Sequence, residues 1–326
     1  MEQHRILITG GLGLIGHNVV ALLERQGHAV IVTDTRTNYG IIPLAEIDYL
    51  MAERRKKIRT NDLHGVDVED ASSVDWLMRQ YQPDTVIHMA SFPRQKVVNA
   101  NPARGSRTMS EGLLNLLESS SKNKVSRFVY ISSSMVYGDF TDDVREEADC
   151  RPQGQYGIMK LAGEWLVRDY TRSRGLAHTI IRPSAVYGPL DAEDRVVSRF
   201  MLTAMRGGVL KVNGAGESLD FTYVDDVAQG IASAALSDRT ENRTYNVTRS
   251  CGRTLLDAAE LVVQIVGQGT IEVRDRDRDF PSRGALNIDA ARRDFAFFPT
   301  VDVEEGFRAY HEWLANSVYW SQKTIS

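Results

Sequence analysis

The chain has 326 residues, 42% hydrophobic and 25% charged, with a formal net charge of -4. That composition is globular and long enough for one large α/β unit plus a smaller one; it carries neither the basic excess of a nucleic-acid binder nor the ~20-residue apolar run of a membrane span. Two cysteines, Cys150 and Cys251, are too few for a disulfide framework or a metal cage, and they fit a reducing, cytoplasmic location. The opening "MEQHRILITGG" leads directly into a strand-like segment, with no signal peptide visible.

The first predicted strand, "RILITG" (5–10), turns at Gly10, Gly13 and Gly16 into the helical "GHNVVALLERQG". A second strand, "AVIVTD" (29–34), ends on Asp34. Glycines in such a turn let the backbone approach a pyrophosphate, which then rests on the positive end of the helix. An acid ~20 residues further on accepts hydrogen bonds from the adenosine ribose and repels a 2'-phosphate, so NAD is expected over NADP despite the nearby Arg36. The stretch "TNYGIIPLAEIDYLMAERRKK" follows as a long insertion, with "ERRKK" (53–57) predicted as the solvated face of a helix. "GVDVED" places Asp67 and Val68 after a third strand, near the expected adenine. After the helical "ASSVDWLMRQY", the strand "TVIHMA" (85–90) carries His88, read as a structural histidine. A basic loop, "SFPRQKVVNANP", and the helical "SEGLLNLLESSSK" lead to the strands "RFVYIS" (127–132) and "HTIIRPS" (178–184). Strands apolar on both faces and separated by helices predict a doubly wound parallel sheet. Beyond about residue 185 the alternation weakens into Gly-rich loops, helices near 225–236 and 254–266, and the charged "VRDRDRDFPSR".

"QYGIMKLAGEW" (155–165) opens a helix with Tyr156 and Lys160 one turn apart on one face. A fixed ammonium beside a phenol could make the phenol a working acid and base. "YWSQK" repeats the spacing at Tyr319 and Lys323 without such surroundings, and Tyr319 is expected at the surface.

Taken in order, "TGGLGLIG", "TD" (33–34), "VDVED", "HMAS", "ISSSMVYG", "YGIMK", "IRPSAVYGP" and "LDFTYVDDVA" span most of the chain. With them the sequence resembles the extended short-chain dehydrogenase/reductase family of nucleotide-sugar epimerases and dehydratases. The resemblance implies a Rossmann domain at 1–182, with a helix returning to it from about 220–236. It implies a smaller, partly interleaved nucleotide-sugar domain at 183–326, and a homodimer formed through two helices per subunit. It assigns NAD contacts to Gly10, Gly13, Leu14, Ile15, Gly16, Asp34, Asp67, Val68, Met89, Ala90, Ser91, Tyr156, Lys160 and Pro183. The catalytic set maps onto Ser133, Tyr156 and Lys160; Ser133 is the hydroxyl four residues before the Tyr of "VYG". Tyr156 is then the acid and base, and Lys160 tunes it while holding the nicotinamide ribose. Moving a phenol from a pKa of ~10 to ~7 takes about 4 kcal/mol, and an ammonium at ~4 Å in an effective dielectric of ~20 supplies about as much. For a nucleotide-diphosphate sugar the resemblance implies contacts at Ser133, Ser184 and Arg283, and Lys96 or the adjacent Arg94 is a candidate for binding a sugar carboxylate.

Family 4,6-dehydratases follow the catalytic hydroxyl with an Asp-Glu pair, and a 3,5-epimerase branch uses a cysteine at the second of these positions. Here those positions are Ser134 and Met135. The expectation is therefore a 4-epimerase working through a transient 4-keto sugar. A 4-keto reductase or 4-dehydrogenase releasing its cofactor and a non-catalytic NAD-binding scaffold are the alternatives. Met109 stands where members usually carry an asparagine, and Leu219 where many carry an arginine for the diphosphate.

Overall fold

The computed structural model describes residues 3–40, 42–92 and 94–324. Short apolar runs form β1 (Arg5–Thr9), β2 (Ala29–Thr33), β3 (Leu63–His64), β4 (Thr85–His88), β5 (Arg127–Ile131), β6 (His178–Pro183) and β7 (Arg243–Val247). They make one parallel sheet in the order β7-β6-β5-β4-β1-β2-β3. The order reverses between β1 and β4, which opens a crevice above their C-terminal ends.

Alternate residues of each strand feed two cores. Ile6 and Ile8 pack with α1 (Leu14–Arg25), while Leu7 between them packs with α3 (Ala71–Tyr81), α4 (Gly112–Lys122) and α5 (Gly154–Arg174). A third core joins α6 (Val196–Met205), α8 (Leu255–Val266) and α9 (Val303–Asn316) through Phe200, Met201, Val262, Phe307 and Tyr310. Small sheets edge this region: Val209–Asn213 pairs with Thr270–Arg274, and Ser218–Asp220 with Gly252–Thr254. Between α6 and α8 the chain returns to the large sheet, adding α7 (Val224–Leu236) to the first core and β7 to the sheet edge. Among the described residues no helix is long and apolar enough to cross a membrane.

Two expectations need correction. The insertion after β2 forms α2 (Leu44–Lys57), and its "ERRKK" end is not all solvated. Glu46, Leu50 and Arg54, spaced at i, i+4 and i+8, make a buried stripe. Arg54 donates to the carbonyls of Leu12 at 2.9 Å and Leu190 at 2.6 Å, and Glu46 accepts from the Glu193 N–H at 2.8 Å. Those hydrogen bonds offset much of the cost of burying two charges. Tyr319 is half-buried rather than on the surface, because its ring stacks on Tyr49 at 4.9 Å. The side chain of Lys323 lies outside the described residues.

Candidate active site

The crevice between β1 and β4 is shaped by glycine. Gly10 takes φ +70°, and a side chain there would meet the Ala90 nitrogen at 2.7 Å; one at Gly16 would meet the Gly10 carbonyl oxygen at 2.2 Å. The loop therefore lies directly on the end of β4, and α1 starts at once after Gly13. Asp34 is fixed facing this loop, accepting from the Leu12 N–H at 2.9 Å and the Arg36 N–H at 2.7 Å. Backbone N–H groups, a helix N-terminus and a carboxylate at the end of β2 fit an adenine dinucleotide without a 2'-phosphate. Below the loop, the Thr9 hydroxyl pairs with His88 Nδ1 at 2.7 Å and accepts from the Ala90 N–H at 3.1 Å. Burial, reinforced by the Lys160 charge, holds His88 down to about 3, so it is neutral and structural, as read from the sequence.

On the other side, β5 ends in a short turn over Ser134–Val136, capped by Ser133 Oγ accepting from the Met135 N–H at 3.2 Å. The first turn of α5 lies against it: a side chain at Gly157 would meet the Met135 carbonyl oxygen at 2.6 Å. That approach brings Tyr156 beside Ser133, whose hydroxyl favours ionisation of the phenol. Lys160 donates to the Ile131 carbonyl at 2.7 Å, and its ammonium lies 5.9 Å from the centre of the Tyr156 ring. One turn further, the fully buried Glu164 accepts from the Ser132 hydroxyl at 2.6 Å and from Arg182 at 2.8 and 2.6 Å. Burial pushes the Glu164 carboxyl up, but these partners and Arg168 hold it below its usual range.

Burial pulls Lys160 down to about 7, with Glu164 opposing, and one of its three N–H groups donates to the Ile131 carbonyl. Tyr156 is pushed above the usual phenol range by burial; the opposing groups are Arg195, Ser133 and Arg94.

A cavity of about 870 Å³ joins both sides. It is lined by every residue expected to contact cofactor or substrate, from Gly10, Gly13, Leu14, Ile15, Gly16 and Asp34 through Asp67, Val68, Met89, Ala90 and Ser91 to Ser133, Tyr156, Lys160, Pro183 and Ser184. Arg94, Lys96 and Arg283 line it as well. Arg94 is ion-paired to Asp194 through one guanidinium nitrogen. Lys96 is exposed, with its ammonium 5.7 Å over the Phe280 ring. Burial lowers Arg283 to about 10 against the pull of Glu217, and its Nε finds no partner among the described residues. Leu219 reaches the cavity, whereas Met109 packs against Phe92, Val97 and Val98. The sequence reading missed Tyr39, whose hydroxyl reaches the Ser91 carbonyl at 3.5 Å, and the trio Asp191, Asp194 and Arg195. The trio's only local signal was its place just after "VYGP".

Residues 6–248 match the model of the NAD dependent epimerase/dehydratase family. A UDP-glucose 4-epimerase of Thermus thermophilus, solved with NAD, superposes with a TM-score of 0.85 at 25% identity, covering 96% of this chain and 100% of that one. An uncharacterised UDP-glucose epimerase of Bacillus subtilis is 28% identical, covering 93% of this chain and 95% of its own. A dTDP-glucose 4,6-dehydratase of Neisseria meningitidis is 26% identical, over 99% and 97%.

Proposed function

Because the chain belongs to the NAD dependent epimerase/dehydratase family, and so uses NAD, we propose that it is a nucleotide-sugar 4-epimerase with Tyr156 as acid and base. When bound, oxidised NAD supplies the hydride acceptor and, for the return step, the donor. Gly10, Gly13, Gly16 and Asp34 hold its adenosine and diphosphate, and Lys160 its nicotinamide ribose. The Tyr156 phenolate removes the proton of the sugar's C4 hydroxyl, which Ser133 orients, and a transient 4-keto sugar results. After the sugar turns over, the same phenol returns the proton.

The observation that carries 4-epimerisation over dehydration lies just past Ser133. Ser134 is hydrogen-bonded to Ser184 at 3.0 Å and Met135 is buried. Neither can remove the C5 proton or protonate a departing C6 hydroxyl. The dehydratase relatives keep that alternative concrete, so the test must separate the two outcomes. Purified protein is denatured to identify the released dinucleotide, then UDP-, GDP-, CDP- and dTDP-sugars are screened by chromatography with mass detection. The proposal requires NAD and an isomer of unchanged mass. Loss of water would replace it with dehydration, and a stoichiometric rise in reduced cofactor with a 4-dehydrogenase.

Arg283 is the diphosphate partner in this reading, compensating for Leu219. Lys96, beside Arg94, is a candidate for a carboxylate, and Lys96→Ala should weaken a uronate more than a neutral sugar; equal affinities would remove it from the site. The enzyme is a homodimer in this reading, because α4 and α5 leave Leu114, Ile158 and Trp165 exposed.

A further inference from the structure

The insertion after β2 lies against the site without a part in the proposed chemistry. Its helix α2 puts Ile47, Leu50, Met51 and Arg54 on the cavity wall. Arg54 holds two distant segments at once. One guanidinium nitrogen donates to the Leu12 carbonyl at 2.9 Å, inside the glycine loop. The other donates at 2.6 Å to the Leu190 carbonyl, in the segment between β6 and α6. Leu12 is thereby fixed through both its polar groups, because its N–H donates to Asp34 at 2.9 Å. Leu190 takes φ +68°, a conformation that a bulky residue keeps only where its surroundings enforce it. Helix α2 supplies further contacts there: Leu190 and Ala192 bury against Leu50, and Glu46 accepts from the Glu193 N–H at 2.8 Å. Asp191, Asp194 and Arg195 of the same segment line the cavity.

We propose that α2 is a latch that retains the dinucleotide, with Arg54 as its pin: it ties the glycine loop to the 190–195 segment and so closes the cavity on the side of Asp34. The proposal rests on the reading of the glycine loop and Asp34 as the seat of NAD. It deepens the proposed reaction, because an epimerase must keep one cofactor through the outgoing and the returning hydride. The loop and the segment are two banks of one cleft, and with α2 docked the hydrogen bonds Leu12–Arg54–Leu190 run unbroken from one to the other. A dinucleotide lying between them leaves after those bonds break, so undocking of α2 sets its release. The forked guanidinium suits this role, since it presents donors on two separate nitrogens. Arg54 is a positioning residue, acting through the two segments that it holds.

The test is the rate at which protein loaded with radiolabelled NAD loses its label to an excess of unlabelled NAD, well below the unfolding temperature. Arg54→Met should release NAD roughly 10–100-fold faster than the parent chain. Glu46→Ala should speed release roughly 3–30-fold; Glu46 does not line the cavity, so its effect must pass through the docking of α2. Val262→Ala loosens the third core, away from α2, and should leave release within about 2-fold. Unchanged release in Glu46→Ala, which keeps the test valid should Arg54→Met not fold, would overturn the latch. So would a parent chain that exchanges its NAD freely, or a Val262→Ala variant as fast as the α2 variants, which would mean general loosening. If release follows the prediction but no nucleotide sugar is isomerised, the latch stands and the proposed reaction falls. If sugar is isomerised by a parent chain whose NAD exchanges freely, the reaction stands and the latch falls.

Discussion

Three side chains carry the proposed chemistry, and each was legible because a local motif fixes its place. Tyr156 and Lys160 follow helical spacing, and Ser133 sits at a constant offset from "VYG". What spacing cannot give is the electrostatic balance, since that depends on residues far away in the chain. Burial pushes the Tyr156 phenol up, and the charges that oppose it include Arg195 and Arg94, from segments that no local motif connects to Tyr156. Tyr156→Phe should lower turnover by about 10²–10⁴-fold or more while leaving the circular dichroism spectrum and NAD content intact. Glu164 is fully buried and paired with the buried Arg182. Glu164→Gln removes the counter-charge of the buried Arg182 and should cost about 3–5 kcal/mol in denaturant unfolding; a loss below about 1 kcal/mol would show that the pair is replaceable.

At the scale of elements, the strands between residues 5 and 184 were readable from apolar runs bounded by turns, and the structure ends them within one or two residues of the reading. The glycine loop was readable because strand, turn, helix and terminal acid occur together. The helix after β2 was not readable in its role. Its inward stripe holds Glu46 and Arg54, which periodicity counts as outward-facing, and only the carbonyls and N–H groups of other segments explain their burial. The opposite case is the α4–α5 face, where apolar residues stay exposed. Trp165→Asp combined with Ile158→Asp should convert a dimer to a monomer in light scattering; a monomeric parent chain would remove that surface from consideration.

At the scale of the whole molecule, the alternation of strand and helix made the doubly wound sheet legible. The return of α7 and β7 after α6 was legible only as a helix, because β7 joins an edge whose partner lies far back in the chain. The fold also buries ring nitrogens in both halves of the sheet. His17 and His88 are held down to about 3 and His178 to about 4, in each case chiefly by burial. An unfolded histidine binds its proton near pH 6.5 and the folded ones much later, so the unfolded state takes up more protons as pH falls. Their contribution to stability is complete above pH ~6.5 and is lost progressively below it. His88→Asn should therefore flatten the stability-versus-pH curve between about pH 4 and 6 by roughly 1.4 kcal/mol per pH unit, measured by urea unfolding. An unchanged slope would mean that His88 is protonated in the folded state.

The central claim is that one phenol takes and returns the same proton at C4 while the hydride goes out and comes back. A nucleotide sugar that the chain turns over, deuterated at C4, tests it most directly. The account predicts an epimer that keeps the label at C4 and the mass of the substrate, formed with NAD still bound and lost in Tyr156→Phe. Label found at C6 beside a lost water, or carried away on released reduced cofactor, would contradict it.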